Sequence, residues 1–173
     1  MEIVKCGMED LDRLTILYDK VTADLTAHVN YPKWTPGVYP GRESIRRAIE
    51  SGIQYACLDK DQAIGAFILN EDPQGDYSVG EWRLDLKEGE YLVIHTLAAD
   101  PDGKGKGIGR FMVEASLEMA AKAGYRAVRI DVVPDNIPAI RLYEKCGFLY
   151  AGEKDLKRDI PEIPTFALYE KNL

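Results

Sequence analysis

YLVIHTLAADPDGKGKGIGRFMVEASLEMAAKA, residues 91–123, decides the fold. Tyr91 to Ala99 is a short apolar run with Val93 and Ile94 at its centre, the pattern of a buried strand. Asp100-Pro101-Asp102-Gly103 breaks the run and turns the chain. Gly103, Gly105, Gly107 and Gly109 follow, interleaved with Lys104, Lys106 and Ile108. Ile108, Met112, Ala115 and Met119 then recur at helical spacing, with Phe111 beside them. The order is strand, glycine-rich basic turn, helix.

That order has a physical use. The first turn of a helix leaves backbone N–H groups unpaired, and the helix dipole places partial positive charge there. Glycines remove the side chains that would hold an anion at a distance. The stretch therefore predicts a phosphate cradle built mostly from backbone. Lys104, Lys106 and Arg110 add full positive charges to it, in a chain whose net charge is −7. Neither common nucleotide pattern fits. G-x-x-x-x-G-K-[ST] occurs nowhere, and G-x-G-x-x-G started at Gly103 or Gly105 would need glycine at Ile108 or Arg110.

A second segment sharpens the reading. Ala127 to Val133 is another β-branched apolar run, and Asp135-Asn136 opens a helix with Pro138 in its first turn, where a missing N–H costs little. Ala139, Leu142, Tyr143 and Cys146 form one apolar face, and Gly147 ends the helix before Phe148. Lys104-x-x-Gly107-x-Gly109 fits [QR]-x-x-G-x-[GA], with lysine at the first position, and resembles the coenzyme A pyrophosphate loop of the GNAT-type N-acetyltransferases. Asn136, Ala139, Leu142, Tyr143, Gly147 and Phe148 are similar to the second signature of that superfamily, N-x-x-A-x-x-L-Y-x-x-x-G-F. The resemblance is close over about residues 91–150 and elsewhere rests on element order.

The rest of the chain supplies that order. Glu2 to Cys6 reads as a strand, and Leu11, Leu14, Leu17, Tyr18 and Val21 mark a helix running towards His28. Asn30 to Gly41 is a loop of prolines, glycines and aromatics, and Glu43 to Ile53 is a second helix. Gln54 to Leu58 and Gln62 to Leu69 form a hairpin about Asp59-Lys60-Asp61. Asn70 to Glu90 is polar and turn-rich, with Tyr77, Val79, Trp82 and Leu84 alternating: a partial strand or an irregular flap. Thr165 to Lys171 is the last strand. The expectation is one domain over residues 1–173: an acceptor-side half at 1–90, an acetyl-CoA-binding core at 91–150, and C-terminal strands at 151–173. The resemblance implies a mixed α/β fold, mostly antiparallel, with helices on both faces and a splayed central parallel pair of strands.

Composition narrows the class. A hydrophobic share of 46% with 29% charged residues is that of a globular chain. Cys6, Cys57 and Cys146 are odd in number and far apart, which favours reduced thiols in the cytoplasm and speaks against a disulfide framework or a metal site. No apolar signal core or membrane-length run is present, so no membrane partner is expected. A pI near 4.9 disfavours nucleic acid and favours a cationic acceptor. Monomer and homodimer stay open.

The chemistry follows from the resemblance. It implies acetyl-CoA as cosubstrate, its pantetheine arm pairing with backbone near Leu97, Ala98 and Ala99, often at a bulge, and its pyrophosphate on Lys104, Gly105, Lys106, Gly107, Ile108, Gly109 and Arg110. Asn136 and Ala139 join the cofactor-binding set, Asn136 also as a helix cap. Direct attack by an amine needs a base, because an alkylammonium has a pKa of about 10. His95 is the first choice, sharing a strand face with Val93 and Leu97; His28 and Glu81 are alternatives. A backbone N–H near Leu97 to Ala99 would meet charge on the thioester oxygen. Tyr143 matches the position of the acid that serves the leaving thiolate, or is a core tyrosine. Tyr31, Trp34 and Tyr39 wall an acceptor pocket or anchor a lid, and Glu81 is a flap carboxylate for a cationic acceptor. Besides an N-acetyltransferase, a non-catalytic acyl-CoA sensor and another phosphate-binding α/β protein fit the glycine loop.

Overall fold

The computed structural model describes residues 1–173. Apolar and β-branched runs form seven strands: β1 (Glu2–Lys5), β2 (Gln54–Asp59), β3 (Gln62–Asn70), β4 (Tyr91–Ala99), β5 (Ala127–Val132), β6 (Leu149–Lys154) and β7 (Phe166–Asn172). Stretches of helical period form α1 (Leu11–Ala27), α2 (Arg42–Glu50), α3 (Ile108–Lys122) and α4 (Ile137–Lys145). The sheet order is β1-β2-β3-β4-β5-β7-β6. β1 with β2, β2 with β3, β5 with β7 and β6 with β7 pair antiparallel, and β4 with β5 pairs parallel. That parallel pair registers only Tyr91–Val93 against Ala127–Arg129, although β4 continues to Ala99 and β5 to Val132. The parallel pair of the expected fold is therefore present, and its pairing ends at Val93.

The chain divides into two compact units, Met1–Leu69 with His95–Ala115, and Asn70–Ile94 with Ser116–Leu173. In the first, Leu14, Leu17, Tyr18 and Val21 of α1 and Ile45 and Ile49 of α2 pack on Ala56, Ala63, Ala66 and Ala98 of the sheet. Alanines on the strands leave room for large residues on the helices, which lets the layers interdigitate. At Gly65 a Cβ would lie 2.7 Å from Met112 Sδ, so glycine there lets the start of α3 lie close on β3. α2 stops at Glu50, three residues short of the expected Ile53. Gly52 takes φ +66, its N–H donates to Ile49 O and that of Ile53 to Ala48 O, a left-handed cap that closes the helix.

The second unit packs Tyr77, Leu86, Tyr91, Val93, Leu156, Phe166 and Leu168 around Ala127 and Ala151. Residues 71–90 form no strand; their one helical turn is the 3-10 turn Tyr77–Val79. They are irregular but anchored. Arg129 and Glu170, 2% and 1% exposed, form a 2.8 Å ion pair. The Arg129 guanidinium lies between the Trp82 and Tyr91 rings, 4.2 and 4.1 Å from their centroids. It also donates to Leu84 O at 3.1 Å, while Glu170 accepts from the N–H groups of Arg83 and Leu84. Asp131 accepts from the Tyr77 hydroxyl at 2.6 Å and from two nitrogens of Arg158 at 2.7 Å. Paired in this way, the buried Arg129 and Glu170 and the half-buried Asp131 and Arg158 tie the irregular segment to β5 and β7.

Candidate active site

The second half of β4 carries a break. Thr96 lies inside the strand at φ +46, a conformation that a β-branched residue rarely takes. Such a residue leaves the extended conformation on which the two-residue alternation of a strand depends. Counting faces from Val93 therefore stops at His95 and does not reach Leu97, which changes the expected grouping. The Tyr18 hydroxyl of α1 donates to Thr96 O at 2.9 Å. His95 is buried at 8% exposure, Ala98 is buried, and Leu97 and Ala99 are half-buried.

The turn after β4 is held by its own polar groups. Asp100 accepts from the Asp102 N–H at 2.9 Å and from Lys20 Nζ at 2.6 Å, and its N–H donates to Ile64 O. Burial alone would raise the Asp100 carboxyl; the bonds from Lys20 and Asp102 and the charge of Lys106 outweigh it and hold the pKa below the ordinary value. A Cβ on Gly103 would collide with the Ile108 side chain, so this glycine serves packing. Gly105 and Gly107 differ. Both have positive φ, +82 and +77, and a Cβ on either would meet nothing within 4 Å. Their requirement is conformational, and the space beside them is open.

α3 starts at Ile108, and the first N–H taken by its ladder is that of Phe111, donated to Gly107 O at 2.9 Å. The N–H groups of Gly107, Ile108 and Gly109 precede that bond, at the positive end of the helix dipole. Ile108 is buried and anchors the turn, while Lys104, Gly105, Lys106 and Gly107 are exposed. Neither Lys104 nor Lys106 closes an ion pair. Arg110 is paired with Glu114 at 2.7 Å on the flank of α3. The arrangement is a backbone cradle with two uncommitted cations, suited to a phosphate.

In the second unit Asn136 caps α4 as expected, its Oδ1 accepting from the Ala139 N–H at 3.3 Å. Tyr143 is the buried residue of that helix, 7% exposed, with its ring edge-on to Phe148. Burial, with the charge of Asp131 second, pushes its phenol pKa above the ordinary value.

The remaining candidates lie elsewhere. His28 is exposed at the end of α1, with Nδ1 2.9 Å from Asp24 O. Glu81 is paired with Lys154 Nζ at 2.7 Å. Tyr31 is half-buried in the loop after α1; Trp34 packs edge-on to Tyr18 at 6.2 Å and so anchors that loop on the core. Tyr39 is exposed. Sequence reasoning missed the bond from Tyr18 to Thr96 and the pair Arg129–Glu170. No spacing rule points to either, because the partners are 78 and 41 residues apart.

A model of the acetyltransferase (GNAT) family matches residues 23–148. The chain belongs to that family. Among GNAT relatives, it is 32% identical over 97 residues to a mycothiol acetyltransferase of Geodermatophilus obscurus, covering 54% of this chain and 28% of that one. It is 26% identical over 111 residues to an L-methionine sulfoximine/L-methionine sulfone acetyltransferase of Salmonella typhimurium, covering 62% and 64%. The chain thus spans less than two thirds of either relative. A GNAT-family acetyltransferase from Streptococcus agalactiae superposes with a TM-score of 0.80 at 18% identity over 99% of this chain and 95% of that one, which shows the shared fold. GNAT proteins generally use acetyl-CoA as cosubstrate.

Proposed function

We propose that this GNAT protein transfers an acetyl group from acetyl-CoA to an amine, which attacks the thioester directly. The observation that carries the reading is the cradle at Gly105–Gly109. Two left-handed glycines open onto free space, unpaired N–H groups sit at the start of α3, and Lys104 and Lys106 are uncommitted. These residues fit a pyrophosphate: N–H groups and ammonium groups are donors, and none of them is an anion. Bound acetyl-CoA supplies an acyl group activated as a thioester.

The protein's own groups then take four roles. The backbone of Leu97, Ala98 and Ala99 pairs with the pantetheine amides and turns an N–H towards the thioester oxygen, where negative charge gathers. His95, buried one residue before Thr96, takes the proton of the amine directly or through water. Asn136 and Ala139 fix the start of α4, and Tyr143 near its end donates a hydrogen bond to the leaving sulfur. A phenol pushed above about 10 is a weaker acid than a thiol of about 8.5, so Tyr143 serves as a donor and keeps its own proton. Two relatives are named for small molecules, which supports a small-molecule acceptor.

Calorimetric titration with acetyl-CoA, followed by thiol release with a panel of primary amines, tests the reading. Saturable binding with thiol release on adding an amine is expected. Binding without release from any amine would leave a sensor of acyl-CoA, and no binding would refute the cradle.

A further inference from the structure

We infer that Tyr18 is a positioning residue: by holding the Thr96 carbonyl, its hydroxyl aims the N–H of Leu97 at the thioester oxygen. This rests on the acetyl-CoA reading above. A trans peptide is planar, so Thr96 C=O and Leu97 N–H point in opposite directions and turn together. Fixing one fixes the other. The Tyr18 hydroxyl, 2.9 Å from Thr96 O, therefore sets the direction of the Leu97 donor without touching the substrate. A hydrogen bond accepted at the carbonyl also polarises the peptide and strengthens its N–H as a donor.

The peptide needs such a clamp. Six residues other than glycine have positive φ, and Thr96 is the one that lies within a strand; the others fall in turns and loops. A β-branched residue in that conformation is strained and persists only where its surroundings over-determine it. Tyr18 provides the constraint. It is 1% exposed, packed among α1, α2 and the alanines of the sheet, with Trp34 against its ring. Its hydroxyl is thus held in place by the core. Burial also pushes its phenol well above the ordinary value, so the donor stays protonated across the working pH range. A hydroxyl that merely needed an acceptor would find one on any turn of backbone. This one meets the carbonyl of the single strained peptide of β4, next to the residues that pair with the cosubstrate.

The test is isotope-edited infrared spectroscopy of [1-¹³C]acetyl-CoA bound to the full chain, with coenzyme A affinity measured alongside. In the wild type the bound carbonyl stretch falls below that of free acetyl-CoA. In Tyr18→Phe at least half of that shift is lost and kcat with a reactive amine drops about tenfold or more, a fraction of the effect of deleting an oxyanion donor outright. The affinity for coenzyme A itself stays within about threefold of wild type, because the cradle is untouched. Glycine accepts a left-handed φ without strain, so Tyr18→Phe/Thr96→Gly regains much of the shift; a tyrosine that only packs would give no such recovery. The double variant also carries the test should the single one fail to fold. An unchanged carbonyl band in Tyr18→Phe, or no recovery in the double variant, overturns the inference alone. A wild type that does not bind acetyl-CoA overturns the acetyltransferase reading and this inference with it.

Discussion

Replacing Gly107 by alanine separates the needs of the fold from those of the ligand. At φ +77 an L-residue costs about 1–2 kcal/mol, offset by about 0.4–1 kcal/mol because the unfolded chain also loses freedom. The new methyl meets nothing within 4 Å, so no clash adds to this. The net loss is about 1 kcal/mol, or about 2–4 °C in Tm for a chain of this size. The ligand is affected far more. The methyl points into the space that a pyrophosphate would occupy and breaks one or two charge-assisted bonds to backbone N–H groups, each worth about 1.5–3 kcal/mol. A loss of about 3 kcal/mol weakens coenzyme A about a hundredfold. Gly103→Ala is the contrast: its φ is not left-handed and its Cβ would meet only the Cδ1 end of Ile108, so the cost in Tm depends on how readily that side chain turns aside. Thermal melting and calorimetric titration of both variants with coenzyme A decide the matter. Coenzyme A binding to Gly107→Ala within about threefold of wild type would refute the cradle. A fall in Tm of more than about 10 °C would refute the claim that the space beside Gly107 is open.

Three further outcomes are expected. Tyr143→Phe should lower kcat about tenfold to a hundredfold with little change in coenzyme A affinity, and the wild-type rate should show no alkaline limb from this phenol, which burial keeps protonated; equal kcat in wild type and variant would remove Tyr143 from the reaction. Arg129→Met leaves Glu170 charged and buried and should cost about 3–5 kcal/mol in urea unfolding, whereas Arg129→Met/Glu170→Leu should recover much of it; a double variant no better than the single one would mean that packing around Trp82 and Tyr91 matters more than the charge. The folded-state pKa of Asp100 is depressed, so its contribution to stability is present above the unfolded value of about 3.9 and is lost as pH falls through the folded value. Asp100→Asn should accordingly be less stable than wild type at neutral pH, and the gap should close in acid; a gap independent of pH would show that the charge is not what counts.

Features legible in the sequence are those whose causes lie within a few turns of chain. β4 follows the apolar run Tyr91–Ala99 residue for residue, and α3 follows the repeat that begins at Ile108. The cradle needs only glycines, lysines and a helix start, all within residues 103–110. The Asn136 cap is a contact across three residues. Dihedral preference, periodicity and capping decide these locally, and the two motifs are legible for that reason.

What the sequence left undecided depends on partners distant along the chain. Asn70 to Glu90 reads as a partial strand or an irregular flap, because Tyr77, Val79, Trp82 and Leu84 alternate within a polar, turn-rich stretch. Their conformation is instead decided by Arg129 and Glu170, which take up the backbone of Arg83 and Leu84 and the ring of Trp82. Glu81 reads as a free flap carboxylate until Lys154 is found beside it. Thr96 has strong strand propensity, and nothing in its neighbours along the chain predicts a left-handed φ. Burying Tyr18 sets its hydroxyl against that carbonyl, and the bond holds a local conformation that local energetics disfavour. Local sequence determines which elements form; where the backbone departs from its own preference, only a contact made after the chain has folded can hold it there.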